Sequence, residues 1–465
     1  MMAQQGEKVK LNYGRTFLIG FGFLTTAAWS LYNVKMPLIL SYFLPAISWA
    51  DFFIGVIMVL DNITAILLQP YFGALSDKTK TRFGKRIPYL MIGIPAAVLS
   101  FTLMPHAPNL AILVILIMCF NLAMAFYRAP VVALMPDLTP SEVRAKGNAI
   151  INLMGGVGTI SSYLIGAFLL DDDPSGATAF SVTGIIMLAC LIVVMITVNE
   201  QKITAELSVK YGPDFASDRT EIKKYRAEDI SREEKKEKRG LKERILNNNT
   251  IMLFREKEKS ALYMLLAIFS WFMATNAVET FFSLYAVNVL GITAGQASLL
   301  LLIVPVAFIA FAIPAGAISE KFGRRKIIKI GLIIILSSIF ALIFVSNFPV
   351  LIGLIVLYGA SWSMININSI TVVWQLAPDG RIGAYTGIYY LFSAASAIIS
   401  PVVAGFFFSI FYELMGQLRY VLLFPYAFAF LAIAFVFMTR VKRGEVKMSK
   451  EEIEALKRVY EQADD

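Results

Sequence analysis

A single histidine and two cysteines among 465 residues remove most enzyme chemistry at the outset. No H-E-x-x-H pair, P-loop or nucleophile–base constellation can be assembled, so the chain is not expected to be an enzyme. His106 lies between Pro105 and Pro108 at an expected helix end and reads as an interfacial residue. Cys119 and Cys190 fall within apolar runs, where cysteine behaves as a small apolar residue, and no metal site or cofactor is expected. Charge is scarce as well, at 16% of residues, against 57% hydrophobic. Long polar tails that could carry a receptor's signalling domain are not seen either.

What fills the chain is apolar blocks of about twenty residues, the length at which a helix crosses a hydrocarbon core. Twelve spans are expected, near 16–42, 52–73, 88–105, 110–136, 146–170, 178–198, 260–288, 295–318, 327–346, 350–376, 382–411 and 420–438. The first run is too long for a signal-peptide core, and no cleavable leader is expected. With the amino terminus inside, every Lys and Arg except Lys35, Arg128 and Arg419 falls in a cytoplasmic loop, the linker or a tail. That is the positive-inside pattern and predicts both termini in the cytoplasm. The net charge of +9 therefore reports topology and gives no reason to expect a nucleic-acid partner.

The polar stretch 199–258 divides the spans six and six, its basic and acidic residues nearly balanced. The expected organisation is a bundle over 1–198, a cytoplasmic linker over 199–258, a second bundle over 259–440 and a tail over 441–465. A solvated linker is favoured over a regulatory docking site. The halves repeat. GALSDKTKTRFGKR begins at Gly73 and GAISEKFGRR at Gly316, 243 residues on. PDLTPSEVRAKG at Pro136 and PDGRIGAYTG at Pro378 are 242 apart, as are WSLYN at Trp29 and WFMATN at Trp271. Parallel six-span repeats with a substrate site between them are an architecture of secondary transporters. In the paired loops, Gly73 and Gly316 allow close helix approach. Asp77 and Glu320 can accept from amides at a helix terminus. Arg82, Lys85, Arg86, Arg324 and Arg325, beside Gly84 and Gly323, can pair across the halves and form a gate. The alternative is that these basic residues only fix topology.

These loops resemble the inter-helix signature of the major facilitator superfamily, Gly-x-x-x-Asp-Arg-x-Gly-Arg-Arg. The first copy has Lys78 for arginine and four extra residues before Phe83; the second has Glu320 for aspartate. LQPYFGALSDKTKTRFGKRIP, NLAMAFYRAPVVALMPDL and FSWF are also similar to the sucrose–proton and glycoside–pentoside–hexuronide cation symporters. The resemblance implies an all-α membrane fold of twelve helices in two pseudo-symmetric bundles. It also implies a cavity lined by spans 1, 4, 7 and 10, and a substrate- and proton-linked arginine in span 4, carried over to Arg128.

Those spans hold the candidate substrate residues. Trp29, Tyr32 and Asn33 share a face of span 1. Asn121 and Arg128 share a face of span 4, with Tyr127 beside them. Span 7 offers Trp271, Thr275 and Asn276, and span 10 offers Trp362, Asn366 and Ser369. Aromatic faces beside amides and hydroxyls suit a sugar, although aromatic stripes also mark packing.

Asp61 stands mid-span in VIMVLDNITAILLQP, where a charge costs roughly 2.5–3.5 kcal/mol on insertion scales. By helix rise it lies about 18 Å from the inner end of its span and Arg128 about 12 Å from that of its own, so the two are expected to pair. A carboxylate's proton affinity depends on desolvation and nearby cations. An arginine that approaches and leaves would let Asp61, or Glu279 in span 7, carry a proton. A fixed ion pair that never titrates remains the alternative for Asp61. Sodium held by Asp61 with Asn62 and Thr64 is the weaker coupling ion, because one carboxylate gives few ligands. Lys35 reads as snorkelling to the outer interface.

The expected function is proton-coupled symport of a neutral sugar or glycoside by alternating access. The chain would act as a monomer in the bilayer, in a bacterial inner membrane by its short tails and Lys/Ile usage. A uniporter or exporter on the same fold is the alternative, and a non-transporting receptor a remote one.

Overall fold

The computed structural model describes residues 9–44, 49–211, 259–378 and 381–445. Most of the expected linker and tail, 212–258 and 446–465, lies outside them, as do residues 1–8.

The first half holds α1 (Tyr13–Leu24), α2 (Ala27–Phe43), α3 (Ala50–Met58), α4 (Leu60–Lys78), α5 (Ile87–Leu103), α6 (Leu110–Asp137), α7 (Arg144–Leu169) and α8 (Ala177–Thr197). A polar helix, α9 (Glu200–Tyr211), follows. The second half holds α10 (Ser260–Asn288), α11 (Ala294–Phe322), α12 (Arg324–Leu342), α13 (Phe348–Leu376), α14 (Ile382–Ile410), the short α15 (Tyr412–Met415) and α16 (Leu423–Arg440). Among the described residues, eleven helical segments are long and apolar enough to cross a membrane. The remaining expected span is present as the helix α12, with Arg324, Arg325, Lys326 and Lys329 at its start.

Two expected spans are each broken into two helices. The first breaks at Thr25–Thr26, where the Thr25 hydroxyl donates to Gly22 O at 2.7 Å and Trp29 N–H reaches only back to Thr26 O. Directly against this break packs Gly158 of α7; a Cβ there would meet Leu24 O at 2.7 Å. The second breaks at Val59, so Asp61 opens α4 instead of sitting inside one continuous helix.

Each half begins and ends on one side: Ser260 at the start of α10 accepts from Lys442 and Arg443 N–H beyond α16. We call this the tail end, and its opposite the far end. At the far end the halves meet backbone to backbone. A Cβ on Gly55 would collide with Pro401 O, and one on Gly405 with Asp51 O, so α3 and α14 touch at their closest there. Small residues permit such approach where no hydrophobic force distinguishes helix from lipid. Phe52 N–H donates to Ser409 Oγ at 3.1 Å, and Ser298 Oγ to Tyr163 O at 2.8 Å, across the same seam. Towards the tail end α4 buries only Ser76, and among the described residues nothing lies within 4 Å of where a Gly316 side chain would begin.

Candidate functional site

The site forms where the two broken spans face α10 and α13. Asn33 on α2 donates to Glu279 Oε1 on α10 at 2.8 Å, joining the halves. Asp61 of α4 lies within electrostatic reach of Glu279, as do Tyr163 of α7 and Tyr358 of α13; Tyr32 lies within reach of Asp61. Five spans thus converge on two carboxylates. Glu279 remains solvent-accessible although many atoms surround it, so it faces open space between the halves. Asp61 Oδ1 is held by its neighbour, accepting from Asn62 N at 2.5 Å and Asn62 Nδ2 at 2.8 Å.

Asp61 and Arg128 do not pair, contrary to the sequence expectation. The Arg128 guanidinium lies over the Trp29 ring, 5.0 Å from its centroid, and its Nη1 is buried with no hydrogen-bond partner among the described residues. The reason is register. Gly73 of α4 packs against Ala129 of α6, with 3.5 Å from its would-be Cβ to the alanine's, and Phe72 meets Phe126 at 5.0 Å. Arg128 is therefore level with Gly73, and twelve residues of helix, about 18 Å, separate Gly73 from Asp61. The result is two layers. Trp29 and Arg128 form one, and Asn33, one turn or about 6 Å farther along α2, belongs to the carboxylate layer.

The other candidates divide by accessibility. Trp29, Asn33, Arg128, Thr275, Asn276, Trp362 and Asn366 are partly open. Trp362 is braced edge-on by Phe272 at 5.5 Å. Asn276 Nδ2 bonds back to Phe272 O at 2.7 Å, and Thr275 Oγ1 to the same oxygen at 3.4 Å. Tyr32, Asn121, Tyr127, Trp271 and Ser369 are buried and offer no surface to a substrate here. Tyr32 stacks on Phe120, and Tyr127 fills the space beside Gly93 and donates to Thr25 Oγ1 at 3.2 Å. Ser369 ties α13 to Tyr389 of α14. Trp271 is 0% exposed while its repeat partner Trp29 is open, so the repeat does not make the two tryptophans equivalent. Both amide atoms of Asn121 are buried without a partner among the described residues. Lys35 does not snorkel: it is buried and its Nζ donates to Pro174 O at 2.6 Å, gripping the turn after α7.

At the tail end the paired loops fold onto their own halves. Arg86, only 4% exposed, donates Nε to Asp137 Oδ2 at 2.8 Å and its other nitrogens to Asp77 and Ser76. Lys85 reaches Asp137 at 3.0 Å, and Arg82 lies over Phe83. Burial would lower the Arg86 pKa, but Asp137 and Asp77 outweigh it and raise it above the usual value. Asp77 thus accepts from a side chain and not from helix amides. The amides go instead to Glu200, which takes Lys85 N and Arg86 N at 2.9 Å each and Ile87 N at 3.3 Å. In the second half Glu445 takes Arg325 N at 3.0 Å and pairs with Arg325 Nη2 at 3.3 Å, while Glu320 is exposed. Gly84 and Gly323, at φ +108° and +94°, let each loop turn directly against its glutamate. A side chain at either would strike that carboxylate. In this state the Lys85 and Arg86 side chains pair with Asp137 and Asp77 of their own half, and the Arg325 side chain with Glu445 of its own.

Because α5 has no side-chain cap of its own, Glu200 supplies it. Glu200→Ala is expected to lower thermal stability in detergent by about 1–2 kcal/mol, and Glu200→Gln by less, read by tryptophan-fluorescence melting. Equal melting of parent and alanine variant would refute the capping role.

Sequence reasoning singled out neither Glu200, Glu445 and Asp137 nor the far-end residues Asp51 and Asp171, and it marked Arg419 only as an exception to the charge pattern. The signal for Asp137 was at hand, since it lies in the Pro-Asp pair that repeats 242 residues on.

The sequence profile of the Major Facilitator Superfamily matches residues 18–304 and 264–461. Over 128 residues the chain is 27% identical to a general alpha-glucoside permease of Schizosaccharomyces pombe, covering 24% of this chain and 23% of that one. A symporter of Synechocystis is 27% identical over 136 residues, 26% of this chain and 25% of that protein. The chain therefore spans about a quarter of the length of these curated relatives. Among solved structures, a D-xylose–proton symporter superposes with TM-score 0.66 at 16% identity, over 92% of this chain and 97% of that one. The match across both halves and the shared fold make this chain a member of the Major Facilitator Superfamily, a multi-pass membrane transporter and not an enzyme.

Proposed function

We propose that the protein is a twelve-span, proton-coupled symporter of a neutral sugar or glycoside, with both termini cytoplasmic, acting as a monomer in a bacterial inner membrane. The state described here is then open to the cytoplasm. The observation that carries the coupling is the placement of Asp61 and Glu279 within electrostatic reach of one another, with Glu279 bonded across the halves to Asn33. Two negative charges this near one another repel, and a proton on either relieves that repulsion. Asn62 turns its amide nitrogen and not its oxygen towards Asp61, which leaves a sodium ion one oxygen ligand fewer there. Partly open aromatic side chains on both halves, Trp29 and Trp362, together with the partly open Asn33, Thr275, Asn276 and Asn366, suit the CH faces and hydroxyl edges of a sugar. The alpha-glucoside permease and the xylose–proton symporter among the related proteins support the same substrate class.

Purified protein in proteoliposomes, offered a panel of labelled mono- and disaccharides under an imposed proton gradient, tests this. Gradient-dependent accumulation of one or more sugars is expected. Equilibration without accumulation would identify a uniporter, and indifference to every sugar would refute the substrate class.

A further inference from the structure

The far end is held by two clasps that the repeat relates to one another. In the first, Asp51 in the opening turn of α3 is 1% exposed and faces Arg419, 3% exposed, in the turn after α14. Arg419 donates Nε to Asp51 Oδ2 and Nη2 to Asp51 Oδ1 at 3.0 Å, and Tyr420 OH donates to the same Oδ1 at 2.6 Å. The remaining Arg419 Nη1 donates to Gly416 O at 2.7 Å and to Gln417 Oε1 at 3.3 Å. In the second clasp, Asp171 in the turn after α7 accepts from Thr293 Oγ1 at 2.7 Å and Gly295 N at 2.8 Å, at the opening of α11. Asp51 and Thr293 are 242 residues apart, the offset of the whole repeat. Each half thus binds the start of its second span to the other half's turn after the fifth span. The chemistry alternates: the carboxylate sits on the span in one clasp and on the turn in the other.

We propose that Asp51 and Asp171 are positioning residues of the transport cycle, two symmetry-related clasps that hold the far end shut and release together when the molecule opens there. The proposal rests on the transporter reading but on no choice of substrate or coupling ion. A buried ion pair is costly to break halfway, because an unpaired charge is left in low dielectric. Full separation lets both partners hydrate, so the Asp51 clasp favours two states, closed or open, over anything between. Asp171 and Thr293 are exposed, and that clasp adds less.

The test is thiol accessibility in nanodiscs, which needs neither substrate nor a known orientation. Ser298, fully buried in the far-end seam, is replaced as Ser298→Cys in a Cys119→Ser background. Native Cys190, buried within the first half, reports any general loosening. Asp51→Asn is expected to raise maleimide labelling of Ser298→Cys about tenfold, by stranding Arg419 in the closed state. Asp171→Ala should raise it by about two- to fivefold. Asp51→Asn/Arg419→Gln removes both charges and should fall back towards the parent rate. Labelling at the parent rate in Asp51→Asn, or a rise shared equally by Cys190, would overturn the proposal.

Discussion

Glu279→Gln is expected to abolish uphill accumulation while leaving counterflow of the same sugar nearly intact. Glutamine keeps the length of the side chain and its Oε1 can still accept from Asn33 Nδ2, so the hydrogen bond that joins the halves at Glu279 survives. What disappears is the ability to take and give a proton. Exchange of sugar for sugar needs the site to move between sides but needs no net proton movement. Accumulation needs both. The electrical part of the gradient alone is worth about 2.3 kcal/mol per charge per 100 mV, or roughly a fiftyfold concentration ratio. In the variant that ratio should collapse to about one at the same imposed potential. Asp61→Asn separates the roles of the two acids. If Glu279 carries the proton and Asp61 only supplies the neighbouring negative charge, Asp61→Asn retains some accumulation. If the proton is shared, both variants lose it. A Glu279→Gln protein that accumulates sugar as the parent does would remove Glu279 from the coupling step.

How far the sequence could be read follows from which physical quantities it encodes. Span positions were legible to within a few residues, because hydropathy and the bilayer's thickness fix them: the expected 260–288 is α10, Ser260–Asn288, whereas the expected 52–73 runs on in α4 to Lys78. Depth within a span was legible only relative to that span's own end. The expected pairing of Asp61 with Arg128 failed because α4 and α6 are offset, with Gly73 beside Ala129. The break at Val59 was invisible, since no proline or glycine marks it. Which way a residue faces depends on neighbours that the sequence does not order, and so Trp29 is open while Trp271 is sealed in the core. The clasp residues were unread for a related reason. Asp51 and Arg419 look like ordinary loop charges until the fold brings residues 368 positions apart into contact.

The same distinction decides what Arg86 does. If it bridged the halves, its loss would free the tail end and bias the molecule between states. Its partners, however, are Asp77, Asp137, Ser76 and Gly73 O, all within the first half. They tie the end of α4 and the end of α6 to the start of α5 whichever way the bundles tilt. Arg86→Ala should therefore destabilise the first half itself. Removing one partner of a buried pair costs about 3–5 kcal/mol. The figure is an upper bound here, because Asp77 is 61% exposed and Lys85 still reaches Asp137. Melting in detergent should fall accordingly, with transport lost in proportion to folded protein. Labelling of Ser298→Cys should not rise beyond that of Cys190. Arg86→Lys keeps the charge but cannot fork to two carboxylates, and should recover only part of the loss. Adding Asp137→Asn to Arg86→Ala should restore some stability, since the double variant no longer leaves Asp137 without its main partner. If instead Arg86→Ala melts like the parent but shifts the labelling of Ser298→Cys, the residue acts between the halves after all. The intra-half contacts would then describe only one of its two states.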